Sequence, residues 1–142
     1  MNVLFDSNII LSAILPSNYN HTQAANLLKL ANSDLIYGHI TASSVTDIYY
    51  IARKHLGDGL ARIAIQDLLN TFLVIPVNGK DCQNALLSLM KDFEDALVVA
   101  CADKSQIDYI VTEDRDFLAE TTVNTKVIST AELLALVNKG NV

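Results

Sequence analysis

Five short runs dominated by branched, aliphatic or aromatic side chains punctuate this chain: Val3-Leu4-Phe5, Leu35-Ile36-Tyr37, Phe72-Leu73-Val74-Ile75, Tyr109-Ile110-Val111 and Lys126-Val127-Ile128. They do not alternate apolar with polar residues, so they read as strands buried on both faces. Between them lie stretches with helical spacing. Asn8 to Leu15 is ended by Pro16, and Ala24, Leu27, Leu28 and Ala31 follow a polar Ser17 to Asn20 turn. Thr41, Ser43 and Ser44 offer capping oxygens to a helix carrying Val45, Ile48, Ile51 and Ala52, which runs to the break at Gly57-Asp58-Gly59. Leu60 to Leu69, Asp81 to Met90, Asp92 to Lys104 and a segment from Thr130 continue the pattern, with a short helical turn at Phe117-Leu118. Strand and helix alternating in this way predict an α/β fold with a central parallel sheet and helices on both faces.

At 142 residues the chain suits one domain, residues 1–142, with no linker or internal repeat. Apolar residues at 51% and charged residues at 18% supply a core and exclude a disordered chain. No apolar stretch approaches the roughly 20 residues that span a bilayer, so no membrane association is expected. The N-terminus lacks a cationic region and places Asp6 where a secretory signal would be apolar, so a cytoplasmic protein is expected. Cys82 and Cys101 are the only cysteines, without zinc-site spacing, and both read as buried thiols. A net charge of -6 argues against a broad basic surface, so any nucleic acid must be held locally.

Ligands of open parallel sheets bind beyond the carboxyl ends of the strands, which is where Asp6 and Asp114 fall. Either alone reads equally well as a helix N-cap, worth about 1 kcal/mol. Asp95 opens a helix whose same face continues as Val98, Val99 and Ala102, so its carboxylate needs a cation, a raised pKa or backbone amides. Asp92 and Asp95 have capping-box spacing, which is the structural alternative. Asp47 borders an apolar helix stripe and reads by itself as a solvated charge. Taken together the acids are more informative, because carboxylates near 4 Å repel by roughly 4 kcal/mol at a surface-like dielectric, and a convergent cluster therefore needs a cation. Oxygen donors without Cys or imidazole suit Mg²⁺ or Mn²⁺, whose natural chemistry is on phosphate. His21, His39 and His55 are scattered and read as surface or packing residues.

The chain resembles the PIN domains, in particular the VapC-like toxin ribonucleases and their PilT N-terminus relatives. The likeness is carried by Val-Leu-Phe-Asp-Ser-Asn at 3–8, Ile-Thr-Ala-Ser-Ser-Val-Thr-Asp-Ile at 40–48, Asp-Phe-Glu-Asp-Ala-Leu at 92–97 and Ile-Val-Thr-Glu-Asp-Arg-Asp-Phe at 110–117. It implies a three-layer α/β/α sandwich and a Mg²⁺- or Mn²⁺-dependent endoribonuclease, the toxin of a toxin-antitoxin pair. It also implies a homodimer and inhibition by a small antitoxin protein. By position the four acids of the family match Asp6, Asp47, Asp95 and Asp114, with Asp6, Asp95, Asp114 and Asp116 as metal ligands. Ser7, Asn8 and Thr112 match the polar residues that support them. The implied reaction is in-line attack of metal-activated water on an RNA phosphodiester.

The chain departs from the pattern in two ways. Asp47 stands where many relatives have Glu, one methylene longer. Glu113, Asp114 and Asp116 compete for the fourth role, and Glu94 is a spare carboxylate beside Asp95. Arg53, Lys54, Arg62 and Arg115 are candidates for RNA phosphates, and Tyr49 and Tyr50 for stacking on bases, although each also reads as an ordinary surface or rim residue. An aspartyl-phosphate enzyme is disfavoured because position 8 is Asn rather than a second Asp. A non-catalytic module of the same fold, binding protein or RNA, is the alternative.

Overall fold

The computed structural model describes residues 1–140. The elements run β1 (Asn2–Phe5), α1 (Ser7–Ile14), α2 (His21–Leu30), β2 (Tyr37–Thr41), α3 (Ala42–Leu56), α4 (Asp58–Thr71), β3 (Leu73–Ile75), α5 (Gly79–Leu87), α6 (Phe93–Lys104), β4 (Tyr109–Val111), α7 (Arg115–Leu118), β5 (Lys126–Ile128) and α8 (Thr130–Gly140). The strands form one five-stranded sheet in the order β3-β2-β1-β4-β5, every pair parallel. Side chains alternate across it. Val3, Phe5 and Val111 join one buried cluster with Ile9, Leu27, Ile48, Leu68 and Leu133, from α1, α2, α3, α4 and α8. Leu4 and Ile110 join the other with Ala85, Val98, Cys101 and Phe117, from α5, α6 and α7. The result is the expected three-layer α/β/α sandwich. No helix among the described residues is long and apolar enough to cross a membrane.

Three local expectations need correction. The second strand does not end before Gly38 but starts at Tyr37 and runs through Gly38 to Thr41. Gly38 is there for clearance rather than as a breaker: a Cβ would lie 2.8 Å from Ala31 Cβ and 2.9 Å from Phe72 Cδ1. The helix expected to reach Met90 stops at Leu87, and the Ser88 hydroxyl instead accepts from the Met90 N–H at 3.1 Å. Cys101 is buried as expected, whereas Cys82 lies exposed on α5. Gly57 makes the turn from α3 to α4 with φ 84°, a conformation unfavourable for residues with a Cβ.

The sheet order sets the location of the site. From β1 the chain winds outward through β2 and β3, then returns to β4 on the other side of β1 and continues to β5. The carboxyl ends of β1 and β4 are therefore adjacent at the point where the winding reverses, the usual place for a ligand crevice in such sheets.

Candidate active site

Asp6 and Thr112 immediately follow these paired strands, whose register sets Phe5 against Val111. The Asp6 N–H continues the ladder by donating to Val111 O at 3.0 Å. Its carboxylate is buried and held from several sides. The Ser7 N–H donates to Oδ1 at 2.8 Å, the Thr112 hydroxyl to Oδ2 at 2.7 Å, and Asn8 Nδ2 to Oδ2 at 3.3 Å. Asn8 Nδ2 also reaches Thr112 Oγ1 at 3.2 Å, and the Asp114 N–H donates to the same hydroxyl oxygen at 3.1 Å. Ser7, Asn8 and Thr112 thus form a polar brace that fixes Asp6 and the backbone of Asp114. Asp6 also caps α1, and Asp114 caps α7 by accepting from the Asp116 N–H at 2.9 Å and the Phe117 N–H at 3.4 Å. The capping and site readings therefore coexist at both residues.

The N-terminus of α6 brings a second group of acids to this edge. Asp92 accepts from the Asp95 N–H at 2.9 Å, one half of a capping box. Burial pushes the Asp95 carboxyl up to about 7, with Asp92, Asp6, Asp114 and Glu94 adding to the rise. Burial likewise raises Asp6, against the charge-favouring bonds from Thr112 and Ser7, with Asp114 and Asp92 adding repulsion. Glu94 is raised first by burial and then by Asp47 beside it, with Asp6 and Asp92 contributing. Asp47, exposed on α3, therefore meets the group through Glu94 rather than by packing on Asp6. This mutual repulsion is how separate segments of the chain register as one negative site.

Other expected residues sort by position. Asp92, Asp95, Asp114 and Asp116 line one pocket of about 430 Å³. Glu113 is turned away, because its Oε1 accepts from the Thr130 N–H at 2.9 Å and caps α8. Arg115 is exposed between Asp114 and Asp116. Arg53 and Lys54 sit exposed in the last turn of α3, about two turns beyond Asp47, and do not line this pocket. Arg62 is paired with Asp58 at 3.0 Å, and the Tyr49 hydroxyl donates to the same carboxylate, tying α3 to α4. Tyr50 is 63% exposed, its ring edge-on to that of Tyr49 with centroids 5.4 Å apart. Sequence reasoning missed Lys91, which lines the acid pocket beside Asp92. Its only sequence signal is its place directly before the acidic motif.

The donor set suits a hard divalent cation: carboxylates alone, crowded enough to raise one another's pKa, with no Cys or His in the pocket. Among the described residues no group of three or more such side chains stands in ligating arrangement.

A family model described as PIN domain matches residues 2–116, a span that contains Asp6 and its brace and the pocket's Asp92, Asp95, Asp114 and Asp116. No curated protein matches the sequence with significance. Among solved structures, the sarcin-ricin-loop-cleaving toxin VapC20 of Mycobacterium tuberculosis is 18% identical, with a TM-score of 0.70 over 85% of this chain and 96% of that one. VapBC2 of Rickettsia felis, bound to a promoter DNA fragment, is 17% identical with a TM-score of 0.68, over 91% of this chain and 98% of that one. DNA-bound VapBC of Salmonella typhimurium is 13% identical with a TM-score of 0.68, over 92% and 98%. At these identities the likeness is one of fold.

Proposed function

Because the chain belongs to the PIN domain family, we propose that it is a Mg²⁺- or Mn²⁺-dependent endoribonuclease, the toxin of a toxin-antitoxin pair. The observation that carries this reading is the gathering of Asp6, Asp95 and Asp114 at the β1/β4 reversal, where burial and repulsion raise the pKa of Asp95 to about 7.

Asp6, Asp95 and Asp114 would hold the ion, with Asp116 beside them and Asp47 acting through Glu94. When bound, the ion supplies charge neutralisation at the attacked phosphate and activation of water. The chain's own residues supply the rest. Thr112, Ser7 and Asn8 keep the Asp6 carboxylate in one orientation, so it need not reorganise as charge develops. Without an ion, a proton held on the Asp95 carboxyl relieves the repulsion. Lys91 and Arg115 place positive charge around the acids and position the RNA backbone. The partner protein is read from an apolar groove of about 520 Å³ between α2 and α4, lined by Leu28, Leu56, Leu60 and Ile63, which suits the apolar face of a helix. VapBC complexes among the structural neighbours support an antitoxin as that partner. Exposed Leu86, Leu87 and Leu89 support self-association as a homodimer.

The test is cleavage of end-labelled single-stranded RNA with Mg²⁺ or Mn²⁺ and with chelator. Wild type is expected to cleave only with the ion, and Asp6→Asn and Asp95→Asn to lose roughly a hundredfold or more. Cleavage that survives both substitutions would overturn the assignment. Metal-independent RNA binding without cleavage would instead favour the non-catalytic module.

A further inference from the structure

A second cleft, of about 570 Å³, adjoins the acid pocket, and Met90 lines both. Helix α6 serves the two in turn: Asp95 faces the acids, while Ala96, Val99 and Ala100 floor the cleft. About 6 Å of helix separates Asp95 from Val99, a gap that a single nucleotide spans. The volume falls in the range of roughly 300–1,000 Å³ usual for small-ligand sites.

Its chemistry differs from that of its neighbour. Among the charged groups lining it, Asp81 is paired with Lys104 at 2.6 Å, Asp103 accepts from the Thr125 hydroxyl at 2.8 Å, and Lys80 is exposed. The wall is therefore close to neutral where the acid pocket is strongly negative. Exposed amides of Asn84 and Asn124 flank the apolar floor. An apolar floor edged by side-chain amides offers van der Waals contact to the face of an unstacked nucleobase and hydrogen-bond donors and acceptors to its edge. The cleft is also preformed: Lys104 Nζ donates to Asp81 Oδ2 and to Pro76 O, both at 2.6 Å, fastening the end of α6 to the β3–α5 turn.

We infer that this cleft receives the base of the nucleotide next to the scissile phosphate, and so contributes to the sequence preference of the enzyme. The inference rests on the ribonuclease reading for its substrate, but the site can be probed without catalysis. In chelator, the four nucleoside 5′-monophosphates are titrated into ¹⁵N-labelled wild type, with ribose 5-phosphate as the control lacking a base. At least one nucleotide is expected to shift the amides of Asn84, Val99 and Ala100, and ribose 5-phosphate to leave them in place. A single-stranded RNA hexamer is then titrated into Asp6→Asn protein with and without Ala100→Phe, which fills the floor. The filled cleft should bind roughly tenfold more weakly. The surface double variant Asn84→Ala/Asn124→Ala, which leaves the packed floor intact, should weaken the hexamer in the same direction. Shifts that are absent or centred elsewhere, or hexamer affinity unchanged in both variants, would overturn the inference even if wild type cleaves RNA. Shifts in the cleft without any RNA cleavage would uphold the base site and remove the nuclease reading instead.

Discussion

Asp95 offers a quantitative test of whether the acids form one electrostatic unit. Its carboxyl is raised from 3.8 to about 7 by burial and by four neighbouring acids. Between those values the folded protein keeps a proton that the unfolded chain has lost, so unfolding free energy falls as pH rises through this window and levels off above it. A fully shielded group would cost the ion-free fold about 4 kcal/mol at neutral pH. Asp95 is half-buried, and screening reduces this to about 2 kcal/mol. About 1 kcal/mol of that should disappear between pH 5 and pH 7.5. Asp95→Asn removes the titrating group while preserving its shape. In chelator, urea unfolding at pH 5, 6, 7 and 8 should show wild type losing stability with pH and the variant nearly flat. At pH 7.5 the variant should be the more stable by about 1–2 kcal/mol, or roughly 5 °C in Tm. A residual slope of the same sign is expected from Asp6 and Glu94, which are also raised. Adding Mn²⁺ at pH 7.5 should stabilise wild type more than the variant. A variant with the wild-type slope, or one less stable than wild type at pH 7.5, would refute the claim that repulsion among these acids is stored in the fold.

Further substitutions test the supports. Thr112→Val removes the donor to Asp6 and the acceptor of the Asn8 amide and Asp114 N–H, so denaturant unfolding should show a loss of about 2–3 kcal/mol and carboxyl NMR a further rise of the Asp6 pKa. Gly38→Ala sets a Cβ 2.9 Å from the Ala31 carbonyl oxygen, and calorimetry should report at least about 2 kcal/mol of destabilisation. Burial alone would raise Asp81, yet Lys104 and the Asn78 N–H hold it below the usual carboxylate value; Lys104→Met should therefore cost about 2 kcal/mol at pH 7, and this loss should shrink below about pH 4, measured by urea unfolding.

Much of the fold was legible because its strands are short and buried on both faces, which leaves unbroken apolar runs such as Tyr109-Ile110-Val111. The runs also located Asp6 and Asp114 at strand ends, and the order of the sheet then set them side by side. That order is a tertiary fact: nothing local in the sequence states that β4 returns beside β1. For the same reason the sequence placed Asp47 among the acids but did not reveal that it meets them through Glu94. Nor did it separate Glu113 from Asp114, a choice made by the α8 N-terminus, which draws the Glu113 carboxylate away. Gly38 misled because glycine in an apolar run reads as a break, whereas here a close approach of backbone and side chain requires it. Lys91 and the α6 cleft were hidden because both depend on how α5 and the 119–124 segment flank α6.

The most direct test of the central claim is anomalous diffraction from a crystal soaked in Mn²⁺. The account predicts manganese density among the carboxylate oxygens of Asp6, Asp95 and Asp114, lost in an Asp6→Asn crystal soaked in parallel. Well-ordered carboxylates with no manganese between them, or density confined to other surface acids, would contradict it.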